Sequence, residues 1–303
     1  MTKLDQIYDR LCREVPGLEL RRDEPMARHT TFKVGGPATL MALPGTEEEL
    51  LVTVRTALEE GITPLFVGNG SNLLVDDAGL DALVVKTAPR VSRVEVRENT
   101  LRAGAGISLA QLASEAADHG LTGLEFAHGI PGSLGGAVVM NAGAYGGELC
   151  QVISQVRALD SRGQVRELAG DACDFSYRHS RFSAGGWLIL SATVELAPGD
   201  PAAIRGRMEE LMARRKAKQP LEYPSAGSMF KRPPGHFAAA LIDQCGLKGL
   251  TVGGAQVSEK HAGFVINIGS ATCRDILDLM DQVRERVFRE TGVELEPEVK
   301  YVR

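Results

Sequence analysis

The chain has 303 residues, with 34 Lys and Arg against 39 Asp and Glu, so its formal net charge is −5. Hydrophobic residues make up 44% and charged residues 24% of the sequence, which is typical of a globular protein and excludes a disordered one. The 34 glycines and 14 prolines, spread along the whole chain, exclude a coiled coil. The negative charge balance argues against a dedicated nucleic-acid binder, and the length predicts two or three domains.

The cysteines and the N-terminus indicate the compartment. The cysteines are widely spaced and include no C-x-x-C pair, so they match neither a disulfide framework nor a zinc site. The N-terminal residues lack the apolar core of a signal peptide, and no run approaches the roughly 18 apolar residues of a membrane span. We therefore expect a cytoplasmic protein without a membrane segment. We also expect no metal and no nucleic-acid partner, and we take a monomer as the default.

The first third of the chain has the pattern of a small αβ unit. Leu4 and Ile7 begin an apolar stripe at helical spacing. Thr46 and Glu49 have the spacing of a capping box before a second helix, which Gly61 is placed to end. Strands are predicted at Thr39–Leu43, Pro64–Val67 and Leu83–Val85.

The middle third predicts a mixed α+β unit. Ser108 and Gln111 have capping-box spacing, and Gly120 is placed to end the helix that follows them. Residues 129–147 are rich in glycine, and we expect them to form one long loop. Strands are predicted at Val91–Val96, Thr100–Ala103, Val152–Leu159, Gln164–Leu168 and Leu188–Leu196.

The last third returns to an αβ pattern. A helix is predicted to end in the basic run at residues 214–218. Thr272 and Asp275 then cap a strongly amphipathic helix. Strands are predicted at Val252–Val257, Phe264–Ile268 and Glu298–Val302.

Two glycine-rich segments, residues 68–72 and 129–147, are candidate phosphate-binding loops. Glycine lets the backbone approach a ligand closely and adopt positive φ, and successive N–H groups then form a nest suited to phosphate. Ser71 and Ser133 would add hydroxyl donors, so the two segments suit a diphosphate. The alternative for either segment is a set of ordinary turns. Neither segment is a P-loop, and the pair Gly104 and Gly106 lacks the third glycine of a dinucleotide fingerprint.

Seven short segments, found in order along nearly the whole chain, resemble the UDP-N-acetylenolpyruvoylglucosamine reductases, or UDP-N-acetylmuramate dehydrogenases, of bacterial cell-wall synthesis. They are TTFKVGGP at 30–37, GNGSNLL at 68–74, GIPGSLGG at 129–136, NAGAYG at 141–146, FSYR at 175–178, SAGSMFKRP at 225–233 and LEPEV at 295–299. The chain is similar to the shorter branch of this family, which lacks an inserted loop with a substrate-covering Tyr. His29 departs from the Asn that the family often has at this position.

The resemblance implies an α+β fold. A two-part FAD-binding region of the vanillyl-alcohol-oxidase (PCMH) type would occupy residues 1–88 and 89–200, and a C-terminal αβ substrate-binding domain residues 201–303. FAD would bind non-covalently. The residues expected to hold it are Gly68, Asn69, Gly70, Ser71, Asn72, Gly129, Ile130, Pro131, Gly132, Ser133, Gly135, Gly136, Asn141 and Gly143.

The implied reaction is the reduction of UDP-N-acetylglucosamine enolpyruvate to UDP-N-acetylmuramate, with NADPH as the hydride donor, in peptidoglycan precursor synthesis and hence in cell shape and division. Negative charge developing beside the substrate carboxylate requires a cation and a proton donor. The resemblance assigns the first role to Arg178, the second to Ser228 and a further acid–base or charge-stabilising role to Glu298. Whether Glu298 is protonated, or orients the other two, stays open.

One aromatic residue and three cationic residues are expected to bind the substrate. They are Tyr177, Lys218, Lys231 and Arg232. Two other readings stay open: a flavin oxidase of the same fold that uses oxygen, and a non-catalytic sensor of flavin or nucleotide sugar. The three catalytic positions favour the reductase, since a sensor has no need of them.

Overall fold

A computed structural model describes all residues from Met1 to Arg303. The α-helices are α1 (Lys3–Glu14), α2 (Glu47–Glu59), α3 (Leu109–Asp118), α4 (Leu134–Met140), α5 (Pro201–Lys218), α6 (Ala238–Gln244) and α7 (Cys273–Thr291). The first nine strands are β1 (Glu19–Pro25), β2 (Pro37–Leu43), β3 (Leu65–Val67), β4 (Leu73–Val75), β5 (Leu80–Lys86), β6 (Val94–Arg97), β7 (Thr100–Gly104), β8 (Leu121–Thr122) and β9 (Gly143–Ala144). The remaining strands are β10 (Gly147–Glu148), β11 (Ile153–Leu159), β12 (Val165–Ala169), β13 (Leu188–Glu195), β14 (Ala197–Pro198), β15 (Thr251–Val252), β16 (Ala255–Val257), β17 (Val265–Asn267) and β18 (Lys300–Val302).

The chain forms two compact units, each assembled from three segments. The first unit comprises Met1–Arg22, Thr39–Asn69 and Ala82–Ala213, and the second comprises Asp23–Ala38, Gly70–Asp81 and Arg214–Arg303. The division falls inside the first glycine-rich segment and inside α5. The predicted three-part division at residues 88 and 200 stays a prediction.

The first unit contains most of a four-stranded sheet, in the order β1-β2-β5-β3. Strands β3 and β5 run parallel, with Val67 opposite Lys86. Ile7 and Leu11 of α1 and Leu50 of α2 are fully buried in the core of this sheet. The apolar stripes read from the sequence therefore face the sheet, and the loop that leaves β3 is the first glycine-rich segment.

The same unit contains a five-stranded antiparallel sheet, in the order β12-β11-β13-β7-β6. Its strands share a core with α3 and α4, in which Leu112, Leu134 and Val156 are fully buried. Ser108 and Gln111 form the predicted capping box at the start of α3. This core carries the second glycine-rich segment, because α4 lies within it.

The second unit pairs β15, β16 and β17 in an antiparallel sheet. Helix α7 packs against this sheet through Ile276, Leu279 and Val283, which are buried. Strand β4 runs parallel to β18. Leu74 of β4 and Val299, just before β18, are buried in the same core as α7.

The structure corrects several predicted elements. The segment 129–147 is not one loop, since α4 spans seven of its residues. The predicted strand Val252–Val257 is a hairpin, because Gly253 has φ +52° and the chain turns there. Glu49 accepts from the backbone of Gly45, so only the Thr46 half of the predicted capping box forms. The pattern missed β1, β4 and α6. No helix is long and apolar enough to cross a membrane.

Candidate active site

The first glycine-rich segment meets the second at Gly68 and Ser133, both in the first unit. Gly68 follows β3 directly, and a Cβ built on it would lie 2.0 Å from Ser133 Oγ. Ser133 is 2% exposed, and its Oγ has no hydrogen-bond partner. A buried hydroxyl without a partner costs free energy unless a ligand or water satisfies it. Glycine at 68 leaves the space that this hydroxyl needs.

Loop 105–109 holds the start of α4. Leu134 donates to the carbonyl of Ile107, and Gly135 to that of Ala105, both at 2.8 Å. A Cβ on Gly135 would lie 2.9 Å from the Cβ of Ala105. Close packing between the two chain segments therefore explains the glycine at 135 without a ligand.

Gly70, in the second unit, has a steric reason to be glycine. Its φ is +64°, and a Cβ on it would lie 2.0 Å from the carbonyl oxygen of His29. Thr31 donates its backbone N–H to the Gly70 carbonyl at 3.3 Å. The side chain of Thr31 has a buried Oγ1 without a hydrogen-bond partner. The segment 68–72 thus has an unsatisfied buried hydroxyl next to it in each unit.

His29, the position that departs from the family, is buried. Its Nε2 lies 2.9 Å from Glu24 Oε1, and both side chains are less than a tenth exposed. The imidazole is therefore used in a buried contact with Glu24, which lies just upstream on β1.

Ser228 and Glu298 are brought together in the second unit. Glu298 donates its backbone N–H to the carbonyl of Met229 at 2.8 Å, so the two candidate residues lie on adjacent backbone segments. Asn72 donates its side-chain amide to the carbonyl of Glu298 at 3.1 Å. The main-chain carbonyl of Asn72 accepts from the backbone N–H of Lys300 at 2.9 Å. Ser228 is exposed and Glu298 half-buried, so a ligand can reach both side chains.

Arg178 belongs to the first unit and is held in a strained backbone conformation. Its φ is +55°, in the left-handed region that non-glycine residues rarely adopt. Its guanidinium donates to the carbonyl of Gly143 at 3.4 Å and lies over the ring of Tyr177, 5.1 Å from the centroid. Such outliers cluster at functional sites. Arg178 is therefore presented next to the second glycine-rich segment.

Asn141 is 1% exposed and links that segment to the turn carrying Arg178. Its Nδ2 donates to Glu148 Oε2 and to the carbonyl of Ser176, each at 3.0 Å. Its Oδ1 accepts from the backbone of Cys150 at 3.0 Å. Because these bonds use both amide donors, the side chain of Asn141 has a positioning role here beside its predicted contact with the cofactor.

The expected substrate-binding cations lie in the second unit. Lys231 pairs with Glu296. Arg232 lies over the ring of Phe237, 4.6 Å from its centroid. Both cations line a cavity of about 380 Å³ together with Arg284. Lys218 is exposed at the end of α5. A larger cavity of about 740 Å³, between α3 and β6, is lined by none of the predicted site residues.

Two residues that the sequence did not single out as ligand contacts lie at the edge of these features. Lys86 ends β5, and its Nζ donates to the carbonyl of Gly68 at 2.8 Å. His261 Nδ1 accepts from the backbone of Gly263 at 3.2 Å, so the ring proton is on Nε2. Burial, with Lys248 and Lys218 nearby, lowers the pKa of His261. A charged residue ending an apolar strand was the available signal for Lys86.

The donor set at Gly68 fits a diphosphate. A neutral hydroxyl without a partner, a lysine cation and a glycine backbone lie together there, and such groups bind phosphate oxygens. No group of three or more His, Cys, Asp or Glu side chains is placed to hold a metal ion. Ser133 and the N–H groups of the segment would hold the diphosphate of FAD, while Lys86 binds the Gly68 carbonyl.

Comparison with known proteins supports FAD as the cofactor. The family model described as "FAD binding domain" matches residues 38–169, and that of the UDP-N-acetylenolpyruvoylglucosamine reductase C-terminal domain matches residues 219–302. The two matches, with the mixed helices and sheets of the fold, define a flavoprotein with a reductase C-terminal domain, which confirms the predicted α+β class.

The relatives define the family. The UDP-N-acetylenolpyruvoylglucosamine reductase of Caldanaerobacter subterraneus subsp. tengcongensis is 47% identical over 98% of this chain and 98% of its own. That of Clostridioides difficile is 45% identical over 97% of each chain. The solved reductase from Thermus caldophilus has a TM-score of 0.82 and 36% identity, covering 94% of this chain and 99% of that one. The chain belongs to the UDP-N-acetylenolpyruvoylglucosamine reductase family, as the sequence predicted.

Proposed function

We propose that this protein reduces UDP-N-acetylglucosamine enolpyruvate to UDP-N-acetylmuramate with FAD as cofactor and NADPH as hydride donor. The reaction belongs to peptidoglycan precursor synthesis. The relatives that match the chain over nearly its whole length carry the name of this reductase. The FAD-binding match over residues 38–169 supports the cofactor.

The observation that carries the proposal is the hydrogen bond between the segment that contains Ser228 and the segment that contains Glu298. The hydrogen bond from Glu298 N–H to the Met229 carbonyl, at 2.8 Å, joins residues 69 positions apart. A serine hydroxyl can act as a proton donor, and a carboxyl group on the neighbouring segment can orient it or replace its proton. Reduction of an enol ether needs such a donor, because one carbon receives a hydride and its neighbour receives a proton.

FAD, when bound, would supply to the terminal carbon of the enol ether the hydride that NADPH provides. The electron pair of the double bond then moves to the adjacent carbon and its carboxylate. Arg178 stabilises that charge through its guanidinium, which is permanently protonated and binds a carboxylate with paired donors. Ser228 Oγ gives its proton to the adjacent carbon, and Glu298 orients or reprotonates the hydroxyl. One hydride and one proton thus complete the lactyl ether.

Binding of the nucleotide sugar is assigned to one aromatic side chain and three cations. Tyr177 lies beside Arg178 and is 46% exposed, so its ring is available to the sugar. Lys218, Lys231 and Arg232 supply positive charge for the UDP diphosphate. The other cofactor residues proposed from the sequence, 68–72 and those of the second segment, keep that assignment.

Three further statements belong to the same proposal. The chain acts as a monomer, works in the cytoplasm and serves cell shape and division through wall synthesis. The division into residues 1–88, 89–200 and 201–303 stays part of this proposal on the ground of the resemblance, while each of the three hydrophobic cores contains residues from two of these ranges.

An anaerobic titration tests the proposal. The purified protein is loaded with FAD, bleached with NADPH and then mixed with UDP-N-acetylglucosamine enolpyruvate. We expect the flavin absorbance to return on addition of the sugar and UDP-N-acetylmuramate to form in equal amount. Bleaching that only oxygen reverses would replace the reductase with a flavin oxidase. A protein that takes up no FAD would leave a binding role alone.

A further inference from the structure

Lys86 is a half-buried cation in an apolar part of the first unit. It is the last residue of β5, which lies between β2 and β3 in the sheet. Neither flanking strand contains an ionisable residue, since their sequences are PATLMAL and LFV. Within β5 the only other ionisable residue is Asp81, five positions earlier. The lysine therefore has no charged neighbour on the strands beside it.

The one polar partner of its ammonium is the carbonyl of Gly68, at 2.8 Å. An ammonium carries three donors, and this bond uses one of them. Because the carbonyl is neutral, the bond gives the cation no counter-charge. Burial lowers the pKa of Lys86 to about 8, and no charged side chain of the packed strands or helices contributes to that pKa. Burial of a cation without a counter-charge costs folding free energy. Such ionisable groups are found where they serve a function.

The bond to Lys86 fixes the direction of a peptide group in the first glycine-rich segment. In a trans peptide the C=O and the following N–H point in opposite directions. With the Gly68 carbonyl directed at Lys86, the N–H of Asn69 is directed away from it. The parallel pairing of Val67 with Lys86, and the bond from Thr87 N–H to the Val67 carbonyl at 2.9 Å, hold the preceding residue as well.

Gly68 is also where the partnerless hydroxyl of Ser133 lies, since a Cβ on Gly68 would approach its Oγ to 2.0 Å. An uncompensated cation and an unsatisfied donor thus meet at one glycine. Both lack what an anion with oxygen acceptors provides.

We propose that Lys86 is a positioning residue for the flavin diphosphate: it orients the Gly68–Asn69 peptide and provides the positive charge that the bound diphosphate neutralises. This inference rests on the FAD binding given above. It makes the affinity for FAD depend on the charge of one side chain that contacts neither the sugar nor the candidate catalytic residues.

The test titrates FAD into the apoprotein and follows the quenching of flavin fluorescence. The variants are Lys86→Met, Lys86→Arg and the control Lys216→Met, which removes an exposed lysine of α5. We expect Lys86→Met to weaken FAD binding by about tenfold or more, and Lys86→Arg to remain within about threefold of wild type because it keeps the charge and a donor. The Lys216 variant should bind as wild type does.

A pH profile separates the charge from mere structural support. Between about pH 7 and about pH 10 the ammonium of Lys86 loses its proton, whereas an arginine stays charged. FAD affinity of the wild type should therefore fall over this range, while both Lys86 variants should give flat profiles. The melting temperature of each apoprotein shows that it is folded.

Each outcome decides the proposal. Equal FAD affinity of Lys86→Met and wild type would overturn the proposal. A Lys86→Met variant whose FAD affinity falls with pH as that of the wild type does would also overturn it. Loss of affinity in both Lys86 variants alike would assign a packing role instead. If the wild type itself binds no FAD, the proposed function is wrong, and the titration of the wild type alone shows this.

Discussion

The side-chain amide of Asn141 donates to the main-chain carbonyl of Ser176 at 3.0 Å. Ser176 stands two residues before Arg178, whose φ of +55° places it in the left-handed region. Asn141 is itself left-handed, with φ +43°, at the end of α4. A buried amide thus joins the glycine-rich segment to the turn that presents the candidate carboxylate-binding cation. Asn is one of the few residues that tolerates this backbone and also supplies the donors.

Replacing Asn141 by alanine should impair sugar reduction more than flavin reduction. The change removes the bond that holds the turn and leaves the Cys150 N–H without its acceptor. We expect the oxidative half-reaction with the enolpyruvyl sugar to slow by about tenfold, and unfolding free energy to fall by about 1–3 kcal/mol. Stopped-flow absorbance on each half-reaction and urea unfolding measure the two effects. Asn99→Ala, in the exposed hairpin turn, is the matched control, and equal slowing of both half-reactions would contradict the assignment.

Replacing Ser228 by alanine should abolish reduction of the sugar while NADPH still reduces the flavin. The proton that completes the lactyl ether comes from its hydroxyl, and the donation of hydride by NADPH does not need that proton. Loss of a general acid costs about two to four orders of magnitude. Single-turnover stopped-flow on the reduced enzyme gives the rate. Unimpaired sugar reduction would remove Ser228 from the mechanism.

Replacing Gly70 by alanine should destabilise the second unit. A Cβ would meet the carbonyl oxygen of His29 at 2.0 Å, and the φ of +64° is unfavourable for alanine. The backbone has no rotamer with which to relieve the contact, so we expect a loss of more than about 2 kcal/mol. Gly206→Ala is the control, because nothing lies within 4 Å of its Cβ position in α5 and alanine there should stabilise by up to about 1 kcal/mol. Thermal unfolding followed by circular dichroism distinguishes the two, and equal melting temperatures would refute the steric argument.

The apoprotein with Lys86→Met should be more stable than wild type at neutral pH. Burial lowers the pKa of Lys86 from 10.5 to about 8, so folding disfavours the charged form. The unfolded chain binds more protons between these two values, and wild-type stability therefore rises with pH across this window. The gain from the substitution is at most about 3 kcal/mol below pH 8, and it should disappear toward pH 10.5. Urea unfolding of FAD-free protein at several pH values measures it, and a difference that does not change with pH would contradict burial of a charged lysine.

The sequence by itself predicted the elements whose signals are local. The capping boxes at Ser108 and Thr272 formed as predicted, because they depend on residues three positions apart. The apolar stripe of α7 is buried as its spacing indicated. The motifs also predicted the family, since ordered segments along the whole chain do not require a fold to be recognised.

Tertiary structure decided the features that depend on long-range contacts. Helix α4 starts within a glycine-rich segment because the loop before α3 accepts from its first residues, and no local propensity indicates that. Strands β4 and β18 are each only three residues long and pair across more than 200 positions, so neither carries enough periodic signal by itself. The partners of Asn141, the isolation of Lys86 and the adjacency of Ser228 to Glu298 likewise follow from which distant segments pack together. Residue type and spacing determine which chemical groups the chain contains. Packing of distant segments determines which of these groups come into contact and how far each one is buried from water.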